Sequence, residues 1–127
     1  MKLTGLCGSL RAGSFNRKLM AEAVRHFGDC TFEDGNLRLP LYDGDVEAQG
    51  IPAEVQTLAD QIAGSDAVIV LSPEYNQSFS GVLKNALDWV SRTDGQTWSG
   101  KPVAVMSAAA GRAGGERAQM VLRGYLV

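Results

Sequence analysis

The segment Gly8-Ser9-Leu10-Arg11-Ala12-Gly13-Ser14-Phe15-Asn16 sets two glycines, two serines, an arginine and an asparagine directly ahead of an apolar-periodic stretch. That mix suits an anion, above all a phosphate. Glycine admits close backbone approach, free N–H groups at a helix start point outward, and the helix dipole favours negative charge there. The hydroxyls of Ser9 and Ser14 and the Asn16 amide can add hydrogen bonds, while Arg11 can add a charge-assisted contact or face solvent. The same residues also read as a plain capped turn, with Ser14 as the cap. Other phosphate chemistries fail on inspection. Neither Gly-x-x-x-x-Gly-Lys-Ser/Thr nor Gly-x-Gly-x-x-Gly follows the first apolar run. Cys7 lacks the arginine that closes a phosphatase loop, because Gly13 and Ser14 hold the closing positions. The strand ends, Cys7-Gly8 and Ser72-Pro73, carry no carboxylates for phospho-acceptor chemistry.

Two later segments break the pattern in the same way. Pro73-Glu74-Tyr75-Asn76 follows an unbroken apolar run. Proline fixes the backbone there and Tyr75 offers a flat surface with a polar tip. A rigid turn with exposed N–H groups suits the pyrimidine edge of a flavin, and it also suits a purely structural turn. Ser107-Ala108-Ala109-Ala110-Gly111-Arg112-Ala113-Gly114-Gly115 follows the last apolar run. Its small side chains leave room for a flat ligand or for a helix to approach a sheet. The other candidates read as structure. His26, the only histidine, falls in the last turn of a helix, where a cation suits the dipole. No Gly-x-Ser-x-Gly and no His/Cys/carboxylate cluster is present, so neither a serine hydrolase nor a metal site is expected. Trp89 reads as packing or interface.

The elements that position these loops alternate. Lys2–Cys7 reads as a strand, and Ser14–Phe27 as a helix with Phe15, Leu19, Met20, Ala23, Val24 and Phe27 on one face, stopped by Gly28. Cys30–Leu39 reads as a weaker strand at or near a sheet edge, and Leu39–Asp45 as a loop. Pro52–Ala63 is a helix with Pro52 in its first turn. Ala67–Leu71 is a strand buried on both faces, Gly81–Ser91 a helix, Pro102–Met106 another buried strand, and Gly115–Val127 a last helix. The order βαβαβαβα predicts an α/β parallel sheet with helices on both faces, joined by right-handed crossovers. Ligands of such sheets sit beyond the carboxyl ends of the strands, and the three unusual loops fall there. Their convergence narrows the ligand from any phosphate to a flat mononucleotide, FMN.

Length and composition agree with one domain, residues 1–127. A net charge of −2 gives no footprint for nucleic acid or an anionic membrane. The start lacks a signal-peptide pattern and no apolar run reaches the ~18 residues of a span. Cys7 and Cys30 show no metal or redox spacing, so both read as small buried hydrophobes in a cytoplasmic protein.

Four spaced motifs then carry a resemblance that runs from Leu3 to the end: Gly-Ser-Leu-Arg-x-Gly-Ser-Phe-Asn, Pro-Glu-Tyr-Asn-x-Ser, Leu83-Lys84-Asn85-Ala86-Leu87-Asp88-Trp89, and Gly100-Lys101-Pro102-Val103 followed by Gly114-Gly115. Together they resemble the NADPH-dependent FMN reductases, in the branch of the quinone and chromate reductases. The resemblance implies a flavodoxin-like three-layer sandwich with strand order 2-1-3-4-5 and non-covalent FMN. It implies a phosphate loop of Arg11, Ser14, Phe15 and Asn16 with Ser9 beside it. Pro73, Glu74, Tyr75 and Asn76 would hold the isoalloxazine largely through backbone, with Ser107 and Ala108 as a third contact. It further implies hydride transfer from NADPH or NADH through FMN to quinones, azo dyes or metal oxyanions, with ping-pong kinetics, in a homodimer or homotetramer. No catalytic side chain is then required. Family members continue into a fifth strand and a final helix that these 127 residues do not show. Pro102–Met106 is therefore expected as a bare edge, in an incomplete sequence, a truncated relative or a chain whose partner covers it. Gln77 stands where close relatives often place an aromatic. A non-catalytic FMN-binding or electron-transfer module is the reading from another class.

Overall fold

The computed structural model describes residues 1–126. Its elements are β1 (Lys2–Cys7), α1 (Phe15–Phe27), β2 (Thr31–Gly35), α2 (Gly44–Glu47), α3 (Ala53–Ala63), β3 (Ala67–Leu71), α4 (Gly81–Val90), β4 (Val103–Met106) and α5 (Glu116–Tyr125). The four strands form one parallel sheet in the order β2-β1-β3-β4, the first four places of the expected arrangement.

Period-two alternation divides the strand residues between two faces. Leu3, Cys7, Ile69 and Leu71 pack with Met20 of α1, and Phe32 and Met106 lie against them. Leu6, Val68 and Val70 face the other way and join Leu58 and Ile62 of α3, Leu83, Ala86 and Val90 of α4, and Ala118 and Leu122 of α5. The result is a three-layer α/β sandwich. Trp89 is fully buried, and its indole N–H donates to the Pro40 carbonyl at 2.8 Å. Asn85 donates to the same carbonyl and accepts from the Tyr42 N–H, so α4 fastens the segment that follows β2.

Several expectations are corrected. The second strand stops at Gly35 rather than Leu39, because Asn36 turns its side chain back to accept from the Arg38 N–H. The segment read as a plain loop, Leu39–Asp45, runs into the single-turn helix α2, capped by Asp43 on the Asp45 N–H. Pro52 is the N-cap of α3 rather than a residue of its first turn. Phe15 and Phe27, placed on the apolar stripe of α1, are 57% and 46% exposed, and the buried positions of that helix are Asn16 and Met20. The last helix begins at Glu116, and its expected end at Val127 lies outside the described residues. β4, whose apolar run reads as buried, is half-exposed, since among the described residues it pairs with β3 alone and forms the bare edge expected from the resemblance.

Candidate functional site

The sheet fixes where the three unusual loops begin. Cys7, Leu71 and Met106 lie in register on β1, β3 and β4. Pairing continues one residue further, with the Gly8 N–H donating to the Leu71 carbonyl at 2.7 Å and the Ser72 N–H to the Met106 carbonyl at 3.2 Å. Gly8, Ser72 and Ser107 therefore leave the sheet side by side, on strands ~4.8 Å apart.

In the first loop Ser14 is extended, and its hydroxyl accepts from the Arg17 N–H at 3.3 Å while its carbonyl accepts from Lys18. The capped-turn reading of Ser14 is thus correct as local structure. The bonds that satisfy the first turn of α1 start at Arg17, and the N–H groups of Phe15 and Asn16 find no acceptor among the described residues. Ser9, Ser14 and Asn16 are all buried. Arg11 and Lys18 stand over the exposed Phe15 ring, 5.6 and 5.3 Å from its centroid. Arg38 donates to the Leu10 carbonyl at 3.0 Å, and Arg17 pairs with Asp34 at 2.6 Å. Arg11, Lys18 and Arg38 thus lie near the start of this helix, while the charge of Arg17 is taken up by Asp34. Gly8 is confined by sterics, since a Cβ there would meet the Ser80 hydroxyl at 2.5 Å.

The second loop is a two-residue hairpin turn. Tyr75 and Ser78 exchange backbone bonds of 3.0 and 3.1 Å, and Asn76 and Gln77 between them adopt φ of 50° and 62°. Ser72 braces the turn, accepting from the Ser80 N–H and donating to the Pro73 carbonyl. Asparagine tolerates left-handed backbone, whereas glutamine there costs ~1–2 kcal/mol. Gln77→Gly is therefore expected to stabilise the chain by about 0.5–1 kcal/mol after the entropic cost of glycine, read as a higher urea midpoint. The Tyr75 ring is mostly exposed and its hydroxyl has no partner among the described residues. The Glu74 carboxylate accepts from the N–H groups of Arg117 and Ala118 at 3.2 and 3.3 Å.

The third loop is tied to the first across the second. The Asn16 amide donates to the Ala108 carbonyl at 3.2 Å and accepts from the Ala108 N–H at 2.9 Å. The Ser107 hydroxyl donates to the Gly114 carbonyl and accepts from Gln119 Nε2 at 2.6 Å. Asn16 and Ala108 are thus directly joined, while the Arg11 guanidinium lies over the Phe15 ring and Tyr75 is mostly exposed. Sequence reasoning missed Ser72, Ser80, Arg38 and Gln119 as supports of these loops. The Ser80 cap ahead of the apolar stripe of α4 carried a detectable signal, and Gln119 carried none.

The Tyr42 hydroxyl and the Arg92 guanidinium hold the Glu47 carboxyl below the usual carboxylate range, and Asp88 holds the Lys84 ammonium above its ordinary value. A hollow of about 630 Å³ lies beside β4, lined in part by Lys101, Val105 and Arg123. No group of potential metal ligands occurs among the described residues. The three loops thus offer donors, cations and an open shelf, with no arranged acid, base or nucleophile.

Comparison with known proteins agrees with this geometry. An NAD(P)H-dependent FMN reductase of Pseudomonas aeruginosa is 45% identical over all of this chain and 70% of its own length. A quinone reductase of Escherichia coli is 42% identical with the same coverage. Among solved structures, the flavoenzyme NAD(P)H:(acceptor) oxidoreductase FerB of Paracoccus denitrificans superposes with a TM-score of 0.90 at 40% identity, over 98% of this chain and 70% of that one. The profile of the NADPH-dependent FMN reductases matches residues 1–127. The fold is therefore flavodoxin-like, and the chain is an oxidoreductase that belongs to the NADPH-dependent FMN reductase family.

Proposed function

We infer that this chain binds FMN non-covalently across its three strand-end loops and passes hydride from NAD(P)H to a quinone-class acceptor. The carrying observation is the pair of unanswered N–H groups, Phe15 and Asn16, at a helix start with Arg11, Lys18 and Arg38 nearby. The residues fit the cofactor. A phosphate needs donors and positive charge, and that helix end supplies both. A flavin ring needs donors along one edge, and the N–H groups of Glu74 and Asn76 find no acceptor among the described residues.

In this reading Ser9, Ser14, Phe15 and Asn16 hold the phosphate, with Arg11 at its rim. The backbone of Pro73, Glu74, Tyr75 and Asn76 orients the ring, and Ser107 and Ala108 close the third side. The ring supplies reversible hydride acceptance, so the protein needs only to bind, orient and leave one face open. Donor and acceptor then use that face in turn, which gives ping-pong kinetics. Quinones head the acceptors because relatives at 42–44% identity carry that activity in their names. Azo compounds and metal oxyanions belong to the same proposal, as do a homodimer or homotetramer and a cytoplasmic setting. Among the described residues no helix is long and apolar enough to cross a membrane.

The test is a flavin spectrum without oxygen. The purified chain, loaded with FMN, should lose its visible flavin band on adding NADPH and regain it on adding a quinone. Initial rates at several quinone concentrations should give parallel reciprocal lines. A chain that takes no FMN sinks the proposal, and one whose flavin NADPH leaves oxidised is a binding module instead.

A further inference from the structure

Helix α5 begins without a cap of its own. Its N-cap position is Gly115, at φ 80° and ψ 28°, and no side chain there bonds to the first turn. Glycine is required at that point for two reasons. The backbone is left-handed, and a Cβ would meet the Ser107 hydroxyl at 2.7 Å and the Ser107 Cβ at 2.9 Å. The usual solution, a serine, threonine, aspartate or asparagine at the N-cap, is therefore closed to this helix. Its second and third N–H groups are answered instead by Glu74, 43 residues earlier in the chain, through one carboxylate oxygen at 3.2 and 3.3 Å. A carboxylate at a helix N-terminus gains both hydrogen bonds and a favourable dipole.

Glu74 lies in the second loop, one residue past Pro73, and its own N–H finds no acceptor among the described residues. Its side chain and backbone thus serve different elements. α5 also grips the third loop, through Gln119 Nε2 on the Ser107 hydroxyl at 2.6 Å. One helix end therefore fastens two of the three walls.

We propose that Glu74 is a positioning residue whose carboxylate supplies the cap Gly115 cannot, locking the ring-side loop to α5 so that FMN docking and order in the first turn of α5 are coupled. The proposal rests on the FMN reading above. Linkage makes the coupling reciprocal: whatever loosens that turn weakens FMN, and bound FMN protects that turn.

The experiment compares the full wild-type chain with Glu74→Ala and Glu74→Gln, by amide hydrogen exchange and by FMN titration. Without FMN, Glu74→Ala should speed exchange at Arg117 and Ala118 by about tenfold, with Glu74→Gln between it and wild type because an amide oxygen still accepts. FMN affinity should fall in the same order, by about tenfold for alanine, and the visible flavin band should change shape as the ring loses its fixed edge. In wild type, FMN should slow exchange at those two amides. Unchanged exchange in both variants overturns the proposal even where FMN binds normally. Faster exchange with FMN affinity and spectrum unaltered also overturns it, leaving a cap without coupling. Wild-type chain that takes no FMN defeats the proposed function itself, and the exchange measured without FMN separates that failure from a failure of the cap.

Discussion

Ser14→Asp is expected to leave the fold intact and to lower FMN affinity about 100-fold or more. The two halves of that result come from one geometry. Ser14 caps α1 by accepting from the Arg17 N–H, and an aspartate accepts there equally well. The introduced carboxylate also meets the unanswered N–H groups of Phe15 and Asn16 and the positive end of the helix dipole. Stability of the flavin-free chain should stay within about 1 kcal/mol of wild type, measured by urea unfolding. A phosphate competing for those same donors meets a negative charge already seated on them. Two unit charges 4 Å apart near a protein surface interact by ~4 kcal/mol at most. Even ~2.7 kcal/mol of net repulsion is a factor of ~100 in affinity. Titration of FMN by fluorescence reads it. If Ser14 were only a cap, FMN affinity would not move, so equal affinity for wild type and variant would remove the phosphate from this loop.

The legible parts of the sequence were those written in local chemistry. β3 reads directly from Ala67-Val68-Ile69-Val70-Leu71, because a run buried on both faces needs no partner information to be recognised. The three loops were legible because each breaks an apolar run with glycine, proline or hydroxyl residues. Ser14 was legible as a cap. The purposes of two loop side chains were not. Asn16 reads as a ligand to phosphate, yet its amide is engaged on Ala108, 92 residues away. Glu74 reads as part of a ring-binding turn, yet its carboxylate caps a helix 43 residues on. Such partners are set by strand order and register, which bring distant loops to one end of the sheet. Phe15 failed for a different reason. Helical period places it on the apolar stripe, but the first residue of α1 lies at the mouth of the cleft, and two cations rather than the core receive its ring. β4 is a mixed case: its four apolar residues alone suggest burial, whereas the bare edge expected from the resemblance is what the described residues show, with a neighbour on one side only.

Asn16→Asp separates these roles, because it should damage stability where Ser14→Asp does not. Asn16 is 3% exposed and binds Ala108 as donor and as acceptor at once. An aspartate keeps the acceptor for the Ala108 N–H but sets a charged oxygen against the Ala108 carbonyl, 3.2 Å from the present donor. A buried charge facing an acceptor costs ~3 kcal/mol, and the dipole of α1 returns at most ~1 kcal/mol of it. A net loss of about 2 kcal/mol is expected in the flavin-free chain, with FMN affinity falling as the third wall loosens and the new charge approaches the phosphate. Acid supplies the internal control. Burial against a carbonyl raises the introduced carboxyl's pKa above its unfolded value of ~3.9, so the neutral form is favoured in the folded chain. The protonated group regains a donor for the Ala108 carbonyl. Stability relative to wild type should therefore recover as pH falls towards ~4 and be lost again as pH rises through the raised pKa. Urea midpoints of both proteins across that range measure it. A stability difference that is absent, or that does not shrink in acid, would mean that Asn16 does not hold the first and third loops together.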